Sequence, residues 1–173
     1  PAVRDGTVAE GGGAATFPMA WSGAIQDAVA LNYATDDVET TVGSDYTNTT
    51  GSITFEAGSS NNSKTIVVPI LENTIAEPTE TYHVNLSGFT KVGNATVSIS
   101  DAQGLGTITD NDEVKITLHA FADVTETDAP QTANFYVSQD IASEYPITLL
   151  FTSQEQTTVS AVSTGDFTAQ SNV

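Results

Sequence analysis

Carboxylates are the side chains of this sequence that have chemistry to offer, and they are unevenly spread. Glu10 precedes the glycine turn Gly11 to Gly13, Asp36, Asp37 and Glu39 follow a strand-like run ending near Tyr33, and Asp45 stands before Tyr46. Glu72, Glu77 and Glu80 fill a segment between two apolar runs, and Asp110 and Asp112 follow the last one. Ca2+ takes about six to eight hard oxygen ligands in a flexible shell, which turns rich in Asp, Glu and backbone carbonyls can supply. Asp and Asn also cap their own turns, which explains any single member of this set as well as metal binding does. It explains the cluster after the last apolar run less well.

The overall charge sharpens the question. Four Lys and Arg stand against 22 Asp and Glu, a formal net charge of -18. Nucleic acid needs a cationic surface, so it is excluded as a partner, and acidic membrane faces are disfavoured for the same reason. A charge of this size repels itself unless counter-ions bind, although a solvated acidic surface selected for solubility is the plain alternative. Cysteine is absent, so neither disulfides nor thiolate metal sites contribute; an extracellular domain of this kind needs another staple, and calcium is one. No apolar run is long enough to span a bilayer and no signal peptide stands at Pro1, so an export signal or anchor is expected elsewhere in a longer chain.

The elements that must position these carboxylates read as strands. Ser52-Ile53-Thr54-Phe55, Thr65 to Ile70 and Thr81 to Leu86 alternate or nearly alternate, as a sheet with one buried face requires. Val97 and Ile99 are expected to continue the series, followed by Leu105 and Ile108, with turns over Glu56 to Asn62 and Asp101 to Gly104. Pro69 inside such a run predicts an edge or a bulge. No segment carries an apolar period of 3.6, so the fold class is all-β, a two-sheet antiparallel sandwich. Connections in a sandwich gather at its two ends, which lets carboxylates far apart in sequence converge at one apex.

The chain also repeats itself with a period of about 115 residues, the signature of a tandem array. Val8-Ala9-Glu10 returns as Val124-Thr125-Glu126, Phe17 as Phe135, and Val29, Leu31 and Tyr33 as Ile147, Leu149 and Phe151. Gly43 to Thr47 returns as Thr164 to Thr168. The organisation expected is a complete sandwich over 1–112 and the N-terminal part of a second over 113–173. The second copy holds roughly half of what a closed sandwich needs, so it is expected to be completed by further chain or by a partner. Glu126, Asp128 and Asp166 repeat carboxylate positions of the first unit without the remaining partners.

Thr35 to Tyr46 with its GSDYT, Gly51 to Phe55, Ile66 to Asn73, Glu77 to Leu86 and the closing GTITDND of Gly106 to Asp112 together resemble a Calx-beta domain. Such domains occur in sodium-calcium exchangers, integrin beta-4 and large bacterial surface proteins. The resemblance spans Val8 to Asp112 and implies an immunoglobulin-like sandwich that binds Ca2+ at the apex nearest the next domain. It implies Glu10, Asp45, Glu72, Asn73, Glu77, Asp110 and Asp112 as metal ligands, with Asn111 shaping the turn. The departure is Leu71-Glu72-Asn73, where the family often has paired aspartates, and it argues against a second ion.

Enzymatic roles have little behind them. His83 and His119 each sit on a strand-like run facing solvent, with no GxSxG serine motif and no zinc-like His pair nearby. Paired carboxylates could serve a glycosidase, but no aromatic cleft accompanies them. Trp21 suits either sugar stacking or the core. The function expected is a non-enzymatic, calcium-binding structural repeat of an extracellular or cell-surface protein, and its low basicity and cysteine-free tandem units resemble those of bacterial adhesins. Calcium would stiffen the joint between units, adjacent repeats would be partners, and a cell-surface glycan or protein would be the target. The alternative is a noncatalytic glycan- or protein-binding accessory module beside a secreted enzyme. Asn48, Asn61, Asn85 and Asn94 meet the N-glycosylation pattern.

Overall fold

A computed structural model of the chain describes residues 1–41, 43–58, 61–91, 93, 96–120, 123–125, 127 and 129–153. Glu126, Asp128, Asp166 and the Thr164 to Thr168 echo lie outside these residues, as does Asn94. Every regular element among the described residues is a strand.

Two sheets face each other over residues 1–112. The smaller is ordered β1-β3-β6, with β1 Ala2–Val3, β3 Ala14–Ser22 and β6 Asn61–Pro69. The larger is ordered β2-β9-β8-β4-β5, with β2 Gly6–Ala9, β9 Gln103–Thr109, β8 Glu80–Lys91, β4 Val29–Asp37 and β5 Thr50–Phe55. The chain switches sheets between β1 and β2, so its first strands pair with both layers. The alternation reads directly into the core: Ala15, Phe17, Met19 and Trp21 of β3 point inward, as do Tyr82, Val84 and Leu86 of β8. Phe17 meets Tyr82 edge-on across the layers at 5.9 Å, and Tyr46 stacks on Tyr82 at 4.5 Å. Gly106 lies opposite Tyr82 in the ladder and gives it room, because a Cβ there would run into the ring.

The sandwich is not wholly antiparallel. β2 pairs parallel to β9, Gly6 with Gly106 through Ala9 with Thr109. First and last strands of the unit therefore run towards the same end, and alternation alone carries no information about strand direction. Pro69 is the last residue of β6, an edge strand of its sheet, where a missing N–H costs no ladder bond. Val97 and Ile99 are not in a strand: they lie half-buried in an irregular segment packed on the core. Burial without ladder pairing produces the same apolar spacing.

Beyond Asp112, β10 (Ile116–Ala120) and β11 (Phe135–Gln139) form an antiparallel hairpin. His119 stacks on Tyr136 at 4.4 Å and its Nε2 lies 2.9 Å from Ser138 Oγ. Ile147, Leu149 and Phe151, expected to echo a strand, belong to no regular strand, and Ile147 and Leu149 are exposed. The strand they echo, β4, gains its place from ladders on both sides, to β5 and β8. A two-residue strand, β12 (Ala142–Ser143), instead pairs parallel with β7 (Ile75–Ala76).

Candidate metal centre

Strand direction decides which carboxylates meet. Because β2 and β9 are parallel and Ala9 pairs with Thr109, Glu10 and Asp110 leave the sheet side by side. Glu10 continues the inward phase of Gly6 and Val8, while Asp110 and Asp112 continue that of Gly104, Gly106 and Ile108. At the apex, the positions that hold apolar side chains lower down hold carboxylates instead. Glu80 does the same from the start of β8, two residues before Tyr82.

Glu10, Asp110 and Asp112 each bring a carboxylate oxygen within 4.8 Å of the others. Glu10 is 3% exposed; its Oε1 accepts from Asn73 Nδ2 at 3.3 Å, and its Oε2 is buried with no hydrogen-bond partner. Asp112 Oδ2 is likewise buried and unpartnered, although the Asp112 N–H donates to Asp110 Oδ1 at 3.2 Å. Leaving such atoms unsatisfied costs roughly 1–3 kcal/mol each, more when charged, and a cation removes that cost. The donor set therefore fits a hard divalent ion of the Ca2+ type.

Neighbouring residues hold this triad. Asn111 Nδ2 donates to the Glu10 carbonyl at 3.2 Å and to Glu72 Oε1 at 3.4 Å, which ties the closing turn to the opening one. Gly11 lies against the Glu72 carboxylate, and its φ of +66° is the reason glycine is favoured there. Asn73 donates to Glu10 Oε1 and to Glu77 Oε2 at 3.0 Å, while its Oδ1 accepts the Ile75 N–H at 2.6 Å. Its amide thus bridges two carboxylates.

Beyond that bridge lies a cavity of about 310 Å3 lined by Glu39, Asp45, Asn73, Glu77, Glu80 and Glu144, among others. Asp45 is 3% exposed; its Oδ2 accepts the Thr41 N–H and its backbone carbonyl accepts Leu71 N–H at 2.9 Å. Burial first, then the surrounding carboxylates, pushes Glu10 up to about 7. Burial, then the charge and hydrogen bond of Asp45, does the same to Glu80, also to about 7. Burial raises Glu77 too, against the opposing Asn73 hydrogen bond, and burial with Asp110 and Glu72 raises Asp112. None of these shifts has a basic side chain among its causes, so the apex lacks an internal counter-charge among the described residues.

The structure thus gathers Glu10, Asp110 and Asp112 in one cluster with Glu72 alongside, places Asp45 and Glu77 in the adjoining cavity, and puts Asn73 between the two. Asp36 and Asp37 stay outside this constellation; Asp37 accepts the Tyr46 hydroxyl at 2.6 Å. Glu80 and Glu144 were not expected as ligands. The inward phase of Glu80 with Tyr82 and Val84 is a signal in the sequence that identifies it, whereas nothing local marks Glu144. Trp21 packs in the core on Phe55 at 5.4 Å, which removes its ring from sugar stacking.

Fold and site together define an immunoglobulin-like β-sandwich with an acidic apex. The profile of the Calx-beta domain matches residues 3–112, and the chain belongs to that family. Among solved structures it is similar to the apo form of the Calx CBD1 domain at 18% identity and TM-score 0.55, covering 65% of this chain and 100% of that one. It is also similar to the calcium binding domain CBD12 of CALX1.1, at 19% identity and TM-score 0.52 over 61% of this chain and 41% of that one. CBD12 from CALX1.2 gives 14% identity and TM-score 0.54 over 80% of this chain and 69% of that one. These likenesses show a shared fold. None of the curated proteins compared matches the sequence.

Proposed function

We propose that this chain is a noncatalytic calcium-binding repeat whose ion stiffens the joint between successive sandwich units of an extracellular or cell-surface protein. The observation that carries this reading is the pair of buried, unpartnered carboxylate oxygens, Glu10 Oε2 and Asp112 Oδ2, converging with Asp110. When bound, Ca2+ supplies the positive charge and coordination these oxygens lack. Glu10, Asp110 and Asp112 would hold it, with Glu72, Asn73, Glu77 and Asp45 contributing around them.

The units of this reading are residues 1–112 and 113–173. Only Glu113 to Lys115 separate Asp112 from β10, so an ion on Asp110 and Asp112 restrains the start of the second unit directly. The likeness to CBD12 of CALX1.1, named a calcium binding domain, supports the calcium half of the proposal. A high acidic charge without cysteine supports an extracellular setting, where modules bind Ca2+ at roughly 10⁻⁴–10⁻³ M and stay loaded. A bacterial adhesin stalk, with neighbouring repeats as partners and the adhesive target elsewhere, is the context these features suit best.

Calorimetric calcium titration of the full chain tests this against Glu10→Gln/Asp110→Asn. Saturable binding by the parent that the double variant loses is the expected result. Equal heats in the two proteins would sink the assignment.

A further inference from the structure

We infer that the exposed loop from Ala24 to Asp27 is a docking edge for the Ile75 to Glu77 segment of another copy of this repeat, which joins it as a short parallel strand. The inference rests on the repeat reading proposed above and names the surface that holds a preceding unit; it does not depend on calcium.

The template lies within this chain. Phe17 and Phe135 before the loop, and Val29 and Ile147 after it, are equally far apart in sequence, so Ala24 to Asp27 correspond to Ala142 to Tyr145 without a gap. The ladders leading into the two loops agree: Val3 pairs with Met19 and Leu118 with Val137, at corresponding positions. Bends at Ile141 and at Glu144 and Tyr145 enclose Ala142 and Ser143, as bends at Gly23 and at Gln26 and Asp27 enclose Ala24 and Ile25. The difference is the partner. Ala142 and Ser143 pair with Ile75 and Ala76, and the Glu144 N–H donates to the Ala76 carbonyl at 3.0 Å. Ala24 and Gln26 are exposed, and among the described residues the Ala24 carbonyl and the Gln26 N–H have no hydrogen-bond partner. The Ile25 carbonyl accepts the Gly58 N–H at 2.7 Å, which anchors the loop and leaves those two groups for an incoming strand. A cavity of about 480 Å3 lies beside them, lined by Trp21, Ala24, Ile25, Gln26, Asp27 and Thr96 among others.

Charge favours this edge over the one already paired. Glu144 lines the acidic cavity with Glu39, Asp45, Glu77 and Glu80, so its docking brings like charges together. Gln26 stands at the corresponding position and brings no charge. The carboxylate moves to Asp27, the counterpart of Tyr145, a position outside that lining. What is lost is the bond from the Tyr145 hydroxyl to the Glu77 carbonyl at 2.6 Å, which Asp27 does not supply. A two-residue bridge is too short to hold two free molecules together, so docking needs the effective concentration that a tandem chain provides.

The test places a copy of residues 1–115 ahead of the full chain, the spacing that gives Val3 and Leu118 corresponding places, and compares hydrogen exchange in this tandem with that in the full chain alone. In the full chain the Glu144 amide should be protected and the Gln26 amide open. In the tandem the Gln26 amide of the parent portion should slow about tenfold or more. The Asp27 amide should keep its rate, since its counterpart at Tyr145 bonds only within its own loop, to Ser143 Oγ. Equal Gln26 rates in the two proteins would overturn the inference. So would equal slowing of Gln26 and Asp27, which marks general shielding, or a freely exchanging Glu144 amide, which removes the template. Calcium binding by the full chain with no Gln26 protection in the tandem would remove the docking edge and leave the calcium reading intact; Gln26 protection without calcium binding would do the reverse.

Discussion

The two ends of the sandwich over residues 1–112 are closed by opposite means. At the end where β3 finishes and β4 begins, Trp21, Ile25 and Phe55 bury their side chains and the Ile25 carbonyl accepts the Gly58 N–H at 2.7 Å. At the other end the same inward positions hold Glu10, Glu80, Asp110 and Asp112. One end is finished by apolar burial, which needs no partner. The other is finished by buried carboxylates, whose mutual repulsion makes its stability depend on what solution supplies. A single rule of alternation therefore yields a self-sufficient end and a conditional one.

The largest effect expected is at the apolar end. Trp21→Ala should cost about 3–5 kcal/mol by loss of burial and creation of a cavity. Urea unfolding should give the same loss in CaCl2 and in EDTA; a loss confined to one condition would break the contrast between the ends. Between the ends, Gly106→Ala should cost about 1–3 kcal/mol through its clash with the Tyr82 ring, again independent of calcium.

At the acidic end the effect should reverse with conditions. Glu10→Gln removes a buried charge, so it should raise stability in EDTA, by about 1 kcal/mol, while abolishing most of the gain from calcium. Its pH counterpart follows from linkage. Glu10 and Glu80 have folded-state pKa values of about 7 against 4.5 for the free side chain, so the native state holds more protons between those values. Without calcium, stability should rise as pH falls from 7 towards 4.5, with the penalty complete above 7. Calcium competes with those protons, and its stabilising effect should shrink across the same window. Thermal scans at several pH values in EDTA and in CaCl2 would show both trends; parallel curves would contradict them.

The smallest effect expected is that of Tyr82→Phe. The Tyr82 hydroxyl is buried without a hydrogen-bond partner, so its removal should be neutral or slightly stabilising, within about 1 kcal/mol. A larger loss in unfolding experiments would mean that the core beneath the apex depends on that oxygen.

Much of this contrast was legible in the sequence, and the illegible part has physical causes. Alternation in Thr81 to Leu86 marks a strand with one buried face, and its inward phase runs back to Glu80, a signal present in the sequence although Glu80 was not expected as a ligand. Alternation has no direction, so it could not show that β2 and β9 run parallel, the pairing that sets Glu10 beside Asp110. Val97 and Ile99 kept the spacing of a strand because they pack on the core, yet they form no ladder. Glu144 was unreadable for a different reason: its place depends on β12 crossing to β7, a long-range pairing of two residues that leaves no local pattern.

The most direct test of the conditional end is equilibrium unfolding of the full chain in millimolar CaCl2, in EDTA, and in EDTA with magnesium. The account predicts a calcium-specific gain, about 2.7 kcal/mol when calcium reaches a hundredfold excess over the dissociation constant of a single site. Coincident unfolding curves in the three solutions would contradict it, and would mean that the carboxylates of the apex tolerate their burial without an ion.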